Sequence, residues 1–477
     1  MDSMAGSPGA AAARPIEPPA DGSPTTTGAS GVVPGRVRQR ADACPGTVDA
    51  APADDGLVAR VRLPGGRISP AQLTELAAVA ATLGTGSVDL TARANVQVRG
   101  LSADGVGELG RRLARAGLLP SPTHDRVRNI VASPFAGRAP GALVDGDELV
   151  TSLDAALCAD PELASLSGRF QFAVDDGTLP VATARHDVAL VAVAPGVVAL
   201  RVAGVDTGLY GTSPHEAVTL ATAAARAFVR ASEASGAWHV RELPGGAEEL
   251  VAALGGGPVR SHESDGASHG GPAPRTRQKR VAVGVLPQAD GRLGISALVP
   301  LGRLTQAHLA VLAGFGAHGF RLRIAPWRGV VVGDVPEVEG REVGGREVGV
   351  REVGVREVVA ALDAVGLPSD PGSPWLGVSA CSGLGECRRA GADVRSLARD
   401  FVARRSHDDG TAVHFAACER GCGRPSGASL VLADGAFAET DAETDADADA
   451  ATMPGVSPTR SEPPYPAHLE RSSWTTG

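Results

Sequence analysis

Ala380-Cys381-Ser382-Gly383-Leu384-Gly385-Glu386-Cys387 and, 30 residues further on, Cys418-Glu419-Arg420-Gly421-Cys422-Gly423-Arg424-Pro425 place four of the six cysteines of the chain in two pairs, C-x5-C and C-x3-C. Concentration of four thiols within 42 residues is a ligand pattern rather than a scatter of small apolar side chains. Thiolates are soft ligands for zinc or an iron–sulfur cluster. Structural zinc sites favour C-x2–4-C spacings, so the five-residue gap suits zinc poorly. A disulfide needs an oxidising compartment, for which nothing upstream argues. Ser382, Gly383, Gly385, Gly421 and Gly423 keep both loops small enough for backbone amides to approach a bound group. A 4Fe–4S cluster is the expectation, with Cys381, Cys387, Cys418 and Cys422 as its ligands.

Working outward, the chain has 477 residues, enough for two or three domains with sizeable cores. Aromatic residues make up 3 %, so those cores must be built from Val, Leu and Ala. A formal charge of −9 gives no basic footprint for nucleic acid. The start, Met1-Asp2-Ser3-Met4, has no basic segment followed by a long apolar one, and the longest apolar run, from Val188 to Val202, is broken by Pro195-Gly196. Neither a signal peptide nor a membrane span is expected, and a reducing cytoplasm suits iron-bound thiolates.

Residues 1–40 and the acidic tail, 437–477, read as disordered by composition, and 255–279 as a linker. Between them the pattern is mixed. Residues 57–63 alternate as a strand, with Arg60 and Arg62 opposite Leu57, Ala59, Val61 and Leu63. Ser69-Pro70 caps a helix over 71–83. Residues 88–100 read as one extended strand with Thr91, Arg93, Asn95 and Gln97 at alternate positions, a polar face suited to a polar ligand. Gly105-Val106-Gly107-Glu108-Leu109-Gly110 matches a dinucleotide fingerprint in letters alone. Ser102 and Asp104 cap a helix there, and no acidic strand end follows. Helices are expected over 146–159 and from Pro214 to about residue 234, with a hairpin over 188–202.

Pro64-Gly65-Gly66-Arg67-Ile68-Ser69-Pro70 returns as Pro300-Leu301-Gly302-Arg303-Leu304-Thr305-Gln306, each followed by an Ala/Leu helix and a strand, the second strand being 322–332. Two such units facing one another would enclose a cleft for a large ligand. Residues 339–358 are a five-residue tandem repeat, read as a solvated insert.

C-x5-C followed by C-x3-C resembles the cluster motif of the sirohaem-dependent nitrite and sulfite reductase superfamily. Leu90-Thr91-Ala92-Arg93 with Gln97 resembles its first ligand-binding strand, Arg128-Asn129 its second arginine motif, and Arg169-Phe170-Gln171 falls where the reductases carry a lysine–x–lysine pair. The implied fold is α+β, nitrite/sulfite reductase-like: two pseudo-repeated ferredoxin-like, mixed-sheet halves around a central tetrapyrrole cleft. On that pattern the half-domains span 41–125 and 280–367, a first tetrapyrrole/cluster-type domain 126–254, and the cluster domain 368–436. The missing lysines weaken a reductase reading, because arginine holds its proton and glutamine has none to give. Arg62-Leu63-Pro64-Gly65-Gly66, Pro326-Trp327-Arg328-Gly329 and His414 resemble the precorrin-3B synthase branch instead. That resemblance implies O2-dependent hydroxylation and lactone formation on precorrin-3A, a step of aerobic cobalamin biosynthesis. The implied cofactors are the 4Fe–4S cluster and a second, non-haem iron, with His414 and Glu419 as candidate ligands. Sirohaem enters only under the reductase alternative. A non-catalytic tetrapyrrole carrier is the remaining alternative. Electrons would come from a separate, NADH-linked reductase. Arg93, Arg128 and Arg169 are the expected catalytic contacts. Arg62, Thr91, Asn95, Gln97, Asn129, Gln171 and Trp327 are the expected binding residues, with Arg60 and Arg99 as further carboxylate partners.

Overall fold

A computed structural model describes residues 42–178, 186–256, 283–337, 353–408, 410–425, 427–432 and 437–438. The N-terminal 40 residues, nearly all of the linker, most of the five-residue repeat and all of the acidic tail but residues 437–438, which form a strand, lie outside the described residues.

The first repeat begins with β1 (Ala51–Ala53), β2 (Gly56–Val61) and β3 (Arg67–Ile68). Helix α1 (Pro70–Leu83), strands β4 (Val88–Leu90) and β5 (Val96–Leu101), and helix α2 (Ala103–Arg115) follow. The Ser69 hydroxyl accepts from Gln72 N–H while the Gln72 side chain accepts from Ser69 N–H, closing a capping box behind Pro70. The glycine-rich stretch after Ser102 is helical, as its cap requires.

A second sheet module follows: β6 (Ile130–Ala132), α3 (Gly146–Ala159), β7 (Phe172–Asp175), β8 (Val188–Ala194), β9 (Val197–Val202), β10 (Val205–Gly211), α4 (Pro214–Ser232) and α5 (Gly246–Ala253). Strands β6, β7 and β8 run parallel, and β9 and β10 complete the sheet antiparallel. Phe170, Phe172 and Phe228 are fully buried in the core below it, with ring centroids 4.7–5.1 Å apart.

The second repeat has β11 (Gly284–Pro287), β12 (Leu293–Leu298), β13 (Arg303–Leu304), α6 (Gln306–Phe315), β14 (Arg321–Ala325), β15 (Gly329–Val335) and α7 (Val355–Ala364). Thr305 and His308 repeat the capping box of Ser69 and Gln72. The last module is β16 (Val378–Ala380), α8 (Val394–Ala403), β17 (Val413–Ala416), β18 (Ser429–Leu432) and β19 (Phe437–Ala438). Its order, three parallel strands and then an antiparallel one with a helix between the first two, copies β6–α3–β7–β8–β9.

The two repeats exchange strands. The first sheet runs β1-β2-β5-β4-β13 and takes its last strand from the second repeat. The other runs β11-β12-β15-β14-β3 and takes its last strand from the first. A single apolar core lies beneath both, drawing Leu73, Leu76 and Val79 from α1, Leu109 from α2, Leu309 and Leu312 from α6, and Leu362 from α7.

Two expectations need correction. Residues 88–100 are not one strand but a hairpin, and so are 322–332. In the first, Thr91 N–H donates to Asn95 O at 2.9 Å and the Thr91 hydroxyl accepts from Arg93 and Asn95 N–H, with Ala94 at φ +56°. In the second, Arg328 N–H donates to Ala325 O, with Arg328 at φ +60°. A left-handed residue that is neither Gly nor Asn leaves no turn signal in the sequence.

Candidate functional site: a polar sheet face beneath the cysteine loops

The core side of the first sheet is Val, Leu and Ala. Its other side carries the cross-strand row Arg60–Gln97–Asp89–Arg303, contributed by β2, β5, β4 and β13. Arg62, Asn95 and Arg99 lie on the same face, two residues along their strands. The equivalent row on the other sheet is Gly284–Ser296–Val331–Arg323–Arg67. That second face is sealed. Phe135 packs with Ala325, Val331 and Trp327, so close over Gly294 that an added Cβ there would meet its ring at 2.2 Å. Asp147 at the start of α3 pairs with Arg323, Arg321 and Arg67 beside it.

The first face joins both remaining modules. Toward the β6–β10 module, Arg62 is 1 % exposed and donates to Arg126 O, Pro45 O, Gly168 O and Cys44 Sγ. Burial, then the neighbouring Arg60 charge, pushes its pKa down to about 10. Among the described residues neither Arg60 nor Arg62 meets a carboxylate. Arg60 donates to Cys44 Sγ at 3.1 Å, and the buried Nη1 of Arg62 has no hydrogen-bond partner. Buried guanidinium without a carboxylate is costly unless an anion completes it.

Toward the cysteines, Glu386 is held from that sheet face. Its Oε1 lies 2.7 Å from Arg303 Nη1, its Oε2 lies 3.4 Å from Arg99 Nε, and its main-chain oxygen accepts from Arg99 at 2.6 Å. Arg303 also forks onto Asp89, and Arg99 onto Asp55. Burial alone would lower the Arg303 pKa, but the bonds to Asp89 and Glu386 raise it on balance. Asp89 stays below the usual carboxylate range: burial opposes this, but the Arg303 bond and the nearby arginines outweigh it.

Cys381 follows β16 and Cys418 follows β17 by two residues, so both loops leave the carboxyl ends of adjacent parallel strands. Cys381 N–H donates to Phe415 O and Ala417 N–H reaches Cys381 Sγ at 3.4 Å. The Cys422 thiol is raised by burial, then lowered by Arg420, and raised again by the charges of Cys418, Cys381 and Cys387. Cys418, Cys381 and Cys387 therefore each lie within electrostatic reach of Cys422. Among the described residues no three His, Cys, Asp or Glu side chains converge as a single ion requires, which for zinc means sulfurs roughly 4 Å apart. Gly383, Gly385, Gly421 and Gly423 stand at positive φ around the thiols, a backbone that can turn main-chain amides toward a bound group.

The other expected site residues separate. Arg128 forks onto Asp154 with both bonds at 2.7 Å, so its charge is used inside the module. Arg169 stacks 4.8 Å over Trp238 and lies 3.6 Å from Asp42. Asn129 ties Arg126 O, Gly168 O and Phe170 O together, and Asn95 accepts from Leu63 N–H. Thr91 organises its turn. Gln97 is half-buried in the polar row, and Gln171 is bound through its main chain to Asp187. Trp327 lies on the sealed face, its indole N–H buried and unpaired. Among the described residues no ligand set gathers around the pair expected for a second iron: Glu419 is exposed, and His414 is buried with Nδ1 on Ser379 Oγ and its pKa pushed down to about 3 by burial and then by Arg328. Sequence reasoning missed Arg303, Cys44, Glu386 and Arg395, whose guanidinium lies 3.6 Å from Asp89. Only Glu386 carried a signal, its place inside C-x5-C. A hollow lined by Ser69, Gln72, Glu75 and Arg112 lies on the helical side of the first sheet, away from these groups.

Residues 51–116 match the family model of the nitrite/sulfite reductase ferredoxin-like half domain. The chain has the nitrite/sulfite reductase fold: it superimposes on the NirA protein of Mycobacterium tuberculosis with a TM-score of 0.57 at 22 % identity, over 77 % of this chain and 68 % of that one. It is 28 % identical over 374 residues to a sulfite reductase [ferredoxin] of Mycolicibacterium paratuberculosis, covering 72 % of this chain but 62 % of that protein. The chain thus spans less than two thirds of that relative's length. Its similarity to a precorrin-3B synthase of Sinorhizobium, 26 % over 430 residues, covers 85 % of this chain and 83 % of that protein. No helix among the described residues is long and apolar enough to cross a membrane.

Proposed function

We propose that the chain is an oxidoreductase of the precorrin-3B synthase type, acting on the tetrapyrrole precorrin-3A with O2 and electrons from a separate NADH-linked reductase. The observation that carries this reading is the polar sheet face on which Arg60 and Arg62 meet no carboxylate among the described residues, joined through Arg99, Arg303 and Glu386 to the loop that carries Cys381 and Cys387. A macrocycle bearing many carboxylates would supply the missing anions, and forked guanidinium groups bind carboxylates bidentately. The Sinorhizobium synthase is matched over more of this chain, 85 % against 72 % for the sulfite reductase, which supports this reading.

Hydroxylation places one atom of O2 in the substrate and reduces the other to water, taking two electrons and two protons. A 4Fe–4S cluster on Cys381, Cys387, Cys418 and Cys422 would deliver those electrons singly. The protein's own residues hold the reactants: Arg62 and Arg60 take substrate carboxylates, Gln97 offers an amide between them and Asp89, and Glu386 fixes the cysteine loop against the same face. Arg169 and Gln171 stand where a proton-relaying lysine pair would serve six-electron reduction, and neither releases a proton readily.

Anaerobic purification with iron, labile sulfide and porphyrin quantified, then incubation with precorrin-3A, O2 and a reductant, tests the reading. Product with one added oxygen atom is expected, lost in Cys418→Ser while substrate binding persists. A sirohaem Soret band with sulfite or nitrite turnover would instead establish a reductase, the alternative suggested by the reductase relatives.

A further inference from the structure

We infer that Arg328 is the counter-charge that sets the reduction potential of the iron–sulfur cluster. The inference rests on the cluster reading above and adds to it a residue that neither the cysteine pattern nor the polar face assigns.

Arg328 Nη2 donates to Gly423 O at 2.9 Å, on the residue following Cys422. The approach is close enough that a Cβ on Gly423 would meet Arg328 Nη2 at 2.6 Å, and Gly423 is at φ +81°. The glycine serves the arginine as well as the loop. Arg328 is itself left-handed at φ +60°, a conformation costing about 1 kcal/mol or more for a residue with a side chain. Its counterpart in the first repeat, Ala94, has the same strained backbone at φ +56° and no charge. Both hairpins therefore need the turn, but only the second one uses it to carry a guanidinium to the cysteine loops.

Charge decides what that guanidinium does there. Arg99, Arg303, Arg395 and Arg328 form one group with Asp55, Asp89 and Glu386. Arg99 and Arg303 are forked onto carboxylates, and Arg395 lies 3.6 Å from Asp89. Among the described residues Arg328 has no ion-pair partner, and burial, then the Arg395 charge, lowers its pKa. Arg328 is thus the one cation of these four without an ion pair among the described residues, and it touches the Cys422 loop, whose own Arg420 is exposed to solvent and whose Arg424 donates to Ala428 O. A 4Fe–4S cluster bound by four thiolates carries −2 when oxidised and −3 after accepting one electron. A half-buried cation beside it favours the more negative, reduced form.

The test uses the full chain, reconstituted anaerobically, with iron and sulfide quantified and the cluster titrated against potential by visible and electron paramagnetic resonance spectra. Arg328→Gln is expected to keep its cluster and to lower the reduced-to-oxidised ratio about tenfold at a fixed ambient potential, which is about 59 mV for a one-electron couple. Arg328→Lys, which keeps the charge, is expected to stay within about threefold of the unaltered protein. A full cluster with unchanged potential in Arg328→Gln overturns the inference. Should that variant not hold its cluster, Arg328→His is titrated against potential at about pH 5.5 and about pH 8.5: a reduced-to-oxidised ratio that falls with rising pH more than in the unaltered protein upholds the inference, and the same pH response as the unaltered protein overturns it. Absence of iron and sulfide from the unaltered chain would defeat the cluster reading itself, and the inference with it.

Discussion

Arg128 shows how a residue's neighbours can reassign it. In the sequence it stands in an arginine–asparagine motif suited to an anion, yet its guanidinium is 4 % exposed and forked onto Asp154. Burial lowers the Arg128 pKa, but Asp154 raises it on balance. Removing one partner of such a pair leaves an uncompensated charge, so Asp154→Leu should cost about 3–5 kcal/mol in urea unfolding. It should leave cluster content unchanged in whatever protein remains folded, since neither residue touches the cysteine loops. A loss under 1 kcal/mol would show that Arg128 finds another anion. Arg60 and Arg62 are the opposite case, with charges that meet no carboxylate among the described residues. Arg62→Met should therefore weaken binding of a polycarboxylate tetrapyrrole more than tenfold by fluorescence titration, with stability held or raised. Unchanged affinity would remove that face from the substrate site.

The elements were legible where local chemistry alone decides them. Ser69-Pro70 with Gln72 specifies a helix start without help from the rest of the molecule, and Thr305 repeats it. The two cysteine pairs stand out because spacing is a local property, whereas the adjacent strands that carry them are set by pairing across the chain. Strands β3 and β13 were not, because two residues have no period to detect and both depend on a distant edge. Neither were the hairpin turns at Ala94 and Arg328, left-handed residues with no Gly or Asn to announce them. Glu386 could not be paired with Arg303 from sequence, since 83 residues separate them. The strand exchange makes a prediction of its own. Gly66 joins the turn to β3 at φ +71°, and a Cβ there would meet Ile324 O at 1.9 Å. Gly66→Ala should destabilise by about 3 kcal/mol or more, against about 1 kcal/mol for Gly86→Ala, where φ is +84° but nothing lies within 4 Å. Equal losses by chemical denaturation would mean the repeats can shift apart without penalty.

At the scale of the molecule, two carboxylates tie the repeats. Asp89 in the first binds Arg303 in the second, and Asp147 in the β6–β10 module binds Arg323 in the second and Arg67 in the first. Both are held below 3.8, their ordinary value: burial pulls upward, and the arginines pull down harder. Each folded carboxyl thus binds its proton less readily than the unfolded one. The stabilisation is complete above about pH 4 and fades as pH falls through the lower folded values. Asp147→Asn should flatten the fall in stability between about pH 4 and pH 2, read by denaturation at stepped pH, and lower stability at pH 7. An unaltered pH slope would place the acid sensitivity elsewhere.

The exchange of β3 and β13 also orders events at the ribosome. The open edge of β4 cannot be closed until Arg303 and Leu304 have emerged, 213 or more residues after Leu90. Until then the nascent chain presents an unsatisfied row of main-chain donors and acceptors, a template for pairing with another copy. Translation that stalls before that point leaves a fragment prone to clumping rather than a smaller working protein.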